Sequence, residues 1–202
     1  MFDTVEDTVA ALKAGEIVVL TDNEDRENEG DLIMAASLAT ADKVNFMLQY
    51  GRGVLCVPVS PEVGKRLSFY RPEGKHDPRG TAFTQTVDAI AGVTTGVSSA
   101  DRAATILKIA DPESTIEDFY TPGHISPLLA VEGGVLARDG HTEGTLDLLR
   151  LAGLPQVGVL IEILNPDGTM ARVPQLEVFC KEHGLRLCSI EKLIAYLKKQ
   201  QE

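Results

Sequence analysis

EIVVLTDNEDRENEGDLIMAAS, residues 16–37, decides how the chain is read. Its two ends are apolar and its middle is not. IVVLT (17–21) is a short β-branched run of the kind that forms a buried strand, and DLIMAAS (31–37) is a second strand candidate. DNEDRENEG (22–30), between them, is too polar to be core. Upstream, TVEDTVAALKA (4–14) places Val5, Val9 and Leu12 on one helical face, with Asp3 or Thr4 as the cap and Gly15 after the end. Downstream, Thr40 opens a helix, ADKVNFMLQY, that Gly51 closes, and GVLCVPV (53–59) is again strand-like.

The same reading extends to both ends of the chain. PEVGKRL (61–67) forms a short helix, and SSADRAATILKIA (98–110) a longer one capped by Ser98 or Ser99. HTEGTLDLLRLAGL (141–154) is a helix with Leu146, Leu149 and Leu151 near its buried side. VGVLIEIL (157–164) is a buried strand followed by the turn NPDG, and residues 173–184 and 189–199 are amphipathic helices. TPGH (121–124) reads as a turn, and residues 71–85 as an exposed loop rich in Pro, Gly and charge. The span 71–98 is too long for a simple connection, so it is either a functional loop or holds further strands. Strands and helices mix without an internal repeat. The expected fold is therefore α+β: one domain over residues 1–202, a layered α/β/α sandwich around a mixed sheet.

Composition narrows the function. The net charge of −11 opposes a nucleic-acid backbone or an anionic membrane, although a few converging Arg residues can still hold a small anion. No apolar run reaches the roughly 18 residues of a membrane span, and the N-terminus is acidic where a signal peptide is basic. Cys56, Cys180 and Cys188 fit no zinc motif and imply no disulfide framework; reduced thiols suit the cytoplasm.

Four features carry chemistry. Asp22 to Asp31 holds six carboxylates in ten positions, a density that costs stability unless cations offset it, and hard cations such as Mg²⁺ prefer carboxylate oxygens. A solvated acidic loop is the alternative; a calcium loop of the EF-hand type is not, because Glu27 stands where its turn needs glycine. RDGHTE (138–143) opens a helix, where free N–H groups favour anions, Gly140 allows close approach and Arg138 can grip phosphate with two donors; the alternative is a plain helix cap at Thr142 with Arg138 on the surface. Glu162 interrupts the apolar strand 157–164 on the face of Leu160 and Leu164, costly unless the carboxylate is paired, liganded or at an edge. His124, between Pro122 and Pro127, is placed to be held for proton transfer or is a turn histidine bonded to backbone, whereas Cys56 reads as a packed core thiol.

These residues also carry a family resemblance. DRENEGDLIMAA (25–36), GVTTGVSSADRAATI (92–106), PGHISPLLA (122–130), GGVLARDGHTEGTLDLLRLAGL (133–154) and EILNPDGTMAR (162–172) resemble 3,4-dihydroxy-2-butanone 4-phosphate synthase, in the order and near the spacing of that family. The resemblance spans Thr4 to Leu197. It implies a Mg²⁺- or Mn²⁺-dependent homodimer converting D-ribulose 5-phosphate, a small phosphorylated sugar, to L-3,4-dihydroxy-2-butanone 4-phosphate and formate through a metal-stabilised enediolate. It further implies Glu27 and His141 as metal ligands. Arg26, Glu27, Asp31 and Glu162 would contact substrate, and Arg138, Asp139, Gly140, His141 and Thr142 would form the phosphate turn. His124 and Glu162 would be essential to catalysis. The chemistry such a reaction needs, removal of the C3 proton, adds Asp31 or Glu29 as the expected group near C3. A stand-alone form is expected, without the GTP cyclohydrolase II domain fused to some members. The C-terminal helices and the apolar 128–137 stretch are the expected dimer contacts. Ser126, Gly144 and Asn23 depart from the family's usual aromatic, alanine and aspartate, and Gly144 is expected to weaken its helix by up to about 1 kcal/mol relative to alanine.

Overall fold

In the computed structural model, which describes residues 2–200, strands β1 (Val18–Thr21) and β2 (Gly30–Ala35) pair antiparallel. Leu20 lies opposite Asp31, so the acidic segment is the connection between two fully buried strands. Strands β3 (Cys56–Val59), β4 (Val87–Ala89), β5 (Phe119–Leu129), β6 (Gly158–Glu162) and β7 (Arg186–Ser189) complete the sheet. Among the described residues it has seven strands in the order β4-β5-β3-β6-β2-β1-β7. Pairing is parallel for β1 with β7 and for β3 with β5, and antiparallel elsewhere, which makes the sheet mixed as expected.

Alternation along the strands feeds two apolar layers. Val19, Leu32, Met34, Val57, Val159 and Ile161 meet α2 (Ala41–Tyr50), α4 (Ser99–Ala110) and α6 (Val173–His183). Leu20, Ile33, Cys56, Leu128 and Leu160 meet α1 (Val5–Lys13), α5 (His141–Leu151) and α7 (Ile190–Lys199). The short α3 (Pro61–Arg66) follows β3, with the Ser60 hydroxyl accepting from the Val63 N–H. The α/β/α layering of the sequence reading is therefore the observed architecture. No helix among the described residues is long and apolar enough to cross a membrane.

Two local expectations change. TPGH is not a turn: it lies within β5. Pro122 has no N–H to give a ladder, and the β4–β5 register breaks between Val87, opposite Ile125, and Asp88, opposite Tyr120. Side chains replace the missing bonds: the Thr121 hydroxyl donates to the Thr86 carbonyl, the Gly123 N–H to the Thr86 hydroxyl, and the His124 N–H to Asp88. Gly144 also behaves differently from its propensity. A methyl group there would lie 2.9 Å from Leu20 Cδ2 and 3.3 Å from Ile190 Cγ1, so the glycine lets α5 sit close to the sheet.

Candidate active site

The acidic loop is a built structure. Both oxygens of the Asp22 carboxylate are bonded: Oδ2 accepts from the Glu27 N–H (3.0 Å) and Arg26 Nη1 (2.9 Å), and Oδ1 from the Glu29 N–H (2.8 Å). Asn28 takes a positive φ of 55° to make the return. From across the chain, Arg172 donates to the carbonyls of Glu27 and Asn28. One buried acid and one arginine thus fix the backbone, and the side chains of Arg26, Glu27 and Glu29 face a cavity of about 250 Å³.

The sheet supplies the cavity's second wall. Asp31 on β2 lies directly opposite Glu162 on β6, and like charges so placed repel. Burial first, then the charges of Glu162, Glu29, Glu27 and Asp22, hold the Asp31 carboxyl well above its ordinary range. Its Oδ1 is buried without a hydrogen-bond partner. Glu29 is also raised, by burial and then by Glu27. Glu162 Oε2 accepts the Val54 N–H at 2.7 Å, and a methyl at Gly53 would lie 2.3 Å from that oxygen, so only glycine leaves room for the carboxylate. Cys56, Leu128 and Leu160 form an apolar floor. Burial, followed by Glu162 and Asp31, pushes the Cys56 thiol up, which keeps it neutral and poorly nucleophilic.

The N-terminus of α5 closes the third side. Gly140 is its N-cap, and His141 and Thr142 enter the cavity wall. His141 Nδ1 lies 3.9 Å from Glu27 Oε2 and 4.0 Å from Asp31 Oδ2, too far for hydrogen bonds, and its buried Nε2 has no partner. Burial lowers the His141 pKa, so the ring is neutral near pH 7, the form that binds metal. Asp22, Glu27 and His141 each offer a ligand atom within 4.8 Å of the others. Asp22 gives both oxygens to the loop and Glu27 Oε2 accepts from Arg26 Nη1 at 2.5 Å, so His141 is the member of the three with an unpartnered buried donor atom. An oxygen and nitrogen donor set, unpartnered buried polar atoms and crowded carboxylates together fit a divalent cation. Arg138 stands nearby, bonded through Nη1 to Glu143, Nη2 to Thr81 and Nε to the Arg79 carbonyl.

The sequence reading missed Asp77, Thr81 and Phe83, which line the cavity from the long loop; only its length and composition hinted at a role. Three expected residues do not line it. Gly140 and Asp139 flank the wall, with Asp139 Oδ1 4.0 Å from Arg26 Nε. His124 lies towards the β4 edge, its side chain 45% exposed, with Nδ1 held 2.6 Å from Asp88 Oδ2. Asp88 also accepts the His124 N–H at 2.9 Å, so ring and backbone are both oriented. A larger cavity, about 400 Å³, lies on the far side of the 131–138 segment and includes neither Glu27, His141 nor Glu162.

With this geometry in view, the comparisons are specific. Residues 6–196 match the family model described as 3,4-dihydroxy-2-butanone 4-phosphate synthase. A riboflavin biosynthesis protein RibBA from Salinispora arenicola is 51% identical over 204 residues, covering 100% of this chain and 48% of that protein. A crystal structure of 3,4-dihydroxy-2-butanone 4-phosphate synthase with two magnesium ions superposes with a TM-score of 0.95 at 40% identity, covering 99% of each chain. The two-domain synthase RibBX from A. baumannii superposes with a TM-score of 0.93 at 43% identity, covering 96% of this chain and 57% of that one. The chain spans about half the length of the curated relatives it matches.

Proposed function

Since the chain belongs to the 3,4-dihydroxy-2-butanone 4-phosphate synthase family, we propose that it is a lyase of riboflavin biosynthesis converting D-ribulose 5-phosphate to L-3,4-dihydroxy-2-butanone 4-phosphate and formate. The observation that carries this is the convergence of Glu27, His141, Asp31, Glu162 and Arg138 on one cavity. Arg138 and the first N–H groups of α5, which a helix leaves without internal acceptors, receive the phosphate. Glu27 and His141 would hold Mg²⁺, or Mn²⁺ with the same donors, which supplies Lewis-acid polarisation of substrate oxygens.

The proton chemistry then falls to the chain's own residues. Asp31 or Glu29 takes the C3 proton to give the enediolate; a carboxylate with a raised pKa is a stronger base once ionised. Loss of the C1 hydroxyl as water and rearrangement of the skeleton follow. Water then returns as C4 leaves as formate. Glu162, held at one oxygen by the Val54 N–H, serves the later proton transfers with His124.

His124 does not line the cavity of its own protomer, so this role calls for a homodimer in which the β4–β5 edge faces a second copy's cavity. Support comes from the exposed apolar side chains at that edge: Ile90, Val97 and Tyr120 are 44%, 48% and 59% exposed. The C-terminal helix α7 is less suited, because Ile190, Leu193 and Leu197 are buried within the protomer. Sedimentation at micromolar concentration is expected to give a dimer, and a persistent monomer would count against this arrangement. A cytoplasmic setting accords with three free, buried cysteines.

Incubation with ribulose 5-phosphate and Mg²⁺ tests the reaction. One formate per four-carbon phosphate is expected; an isomerase or aldolase would consume the sugar without releasing formate.

A further inference from the structure

We propose that Glu143 is a positioning residue for substrate binding, acting by setting the orientation of Arg138; this rests on reading the cavity as a sugar-phosphate site. Glu143 lies in the first turn of α5 and is 1% exposed. A carboxylate so buried is costly unless both oxygens are used. Both are: Oε1 accepts the Val131 N–H at 3.1 Å, and Oε2 accepts from Arg138 Nη1 at 2.5 Å. The residues between Val131 and Arg138 leave the end of β5, make one 3₁₀ turn at Gly134–Leu136 and return to α5. Glu143 therefore ties both ends of that segment to the helix carrying His141 and Thr142. One turn later Asp147 accepts the Val135 N–H at 2.7 Å, which holds the middle.

The arrangement leaves Arg138 fit for an anion. A guanidinium has five N–H donors. Nε is used on the Arg79 carbonyl, one Nη1 donor on Glu143 and one Nη2 donor on Thr81. One donor on each terminal nitrogen remains, enough in number for a two-donor contact with phosphate. A carboxylate this close reduces the attraction for an anion, so its value lies in direction rather than in charge. Glu143 itself does not line the candidate active site; it faces the larger cavity behind the segment, and so acts through Arg138.

Gly140 supplies a second, independent observation. Its φ is −99°, open to any residue, so its backbone does not demand glycine. A methyl there would instead lie 2.2 Å from Arg138 Nη1 and 3.0 Å from Glu143 Oε2. The ion pair passes over a bare Cα, and a side chain would part it.

The test measures ribulose 5-phosphate binding by calorimetry with Mg²⁺, beside formate kinetics, in the wild type, Glu143→Gln, Arg138→Ala and the double variant. In Glu143→Gln, Kd and KM are expected to rise at least about tenfold while kcat stays within about threefold, the pattern of a lost contact shared by ground and transition states. Arg138→Ala is expected to do the same, and the double variant to be no worse than Arg138→Ala, since Glu143 works through it. Glu143→Asp keeps the charge but shortens its reach to Arg138, so it should give the same rise; it carries the test if Glu143→Gln does not fold. Wild-type affinity in Glu143→Gln, or losses that multiply in the double variant, would overturn the proposal. A wild-type protein that binds no sugar phosphate would overturn the functional reading, and this inference with it.

Discussion

Excess chelator is expected to abolish turnover, and added Mg²⁺ to restore it. Asp22, Glu27, Glu29, Asp31 and Glu162 crowd one end of the sheet; Arg26 and Arg172 are hydrogen-bonded into the loop, and Arg79 Nε lies 3.7 Å from Glu27 Oε1, which still leaves the acids in excess. An enediolate would add negative charge to this surrounding, and without a cation the barrier rises steeply. Glu27→Gln keeps shape and removes a ligand charge, so kcat is expected to fall on the order of 10²-fold or more with the fold intact. A thermal readout stands beside the kinetic one. Asp31 and Glu29 have raised folded-state pKa values, so each favours the protonated folded form. In the metal-free protein their contribution to stability is lost as pH rises from the unfolded carboxylate value through the folded one. A bound cation offsets that loss, so the increase in Tm on adding Mg²⁺ should be larger at pH 8 than at pH 5. Full activity in excess chelator, with no Mg²⁺ effect on Tm, would remove the metal from the account.

Glu162→Gln and His124→Asn are each expected to lower kcat by a factor on the order of 10² or more, while substrate binding changes much less. Both residues are held by groups outside the reacting set. Val54 and Gly53 fix Glu162, and Asp88 fixes His124, so neither should disturb the phosphate end. The geometry adds a sharper form of the experiment. His124 is absent from its own cavity wall, so in the proposed dimer each site takes Glu162 from one copy and His124 from the other. Mixing the two inactive variants under subunit exchange makes half the dimers mixed, each with one intact site of two. About a quarter of wild-type activity should return. If both residues served one protomer, mixing would restore nothing. Near-normal turnover in either single variant would remove that residue from the mechanism.

The layered fold was legible because its central strands are unmistakable: IVVLT, DLIMAAS and VGVLIEIL are apolar runs bounded by charge or turn residues. The edges were not. β4 is three residues long and β7 four, too short for periodicity to register. TPGH looked like a turn because Pro and Gly usually make one, whereas here side-chain bonds from Thr86 and Asp88 hold it extended. The cavity's acids and His141 were visible as residue types in unusual places. Their supports were not. Arg172 and Asp88 act through contacts 144 and 36 positions away along the chain, and nothing local marks them; Glu143 stands within RDGHTE, but its bonds to Arg138 and Val131 could not be read from it. Gly144 shows the same limit: helix propensity disfavours it, and only the approach of Leu20 and Ile190 explains it.

The central claim is that this cavity excises one carbon of a sugar phosphate. Ribulose 5-phosphate labelled with ¹³C at C4 tests it most directly, by NMR of the products in Mg²⁺. The account predicts that the label appears in formate, one equivalent per turnover, and is absent from the four-carbon phosphate. Label retained in any sugar phosphate, with no labelled formate, would contradict it.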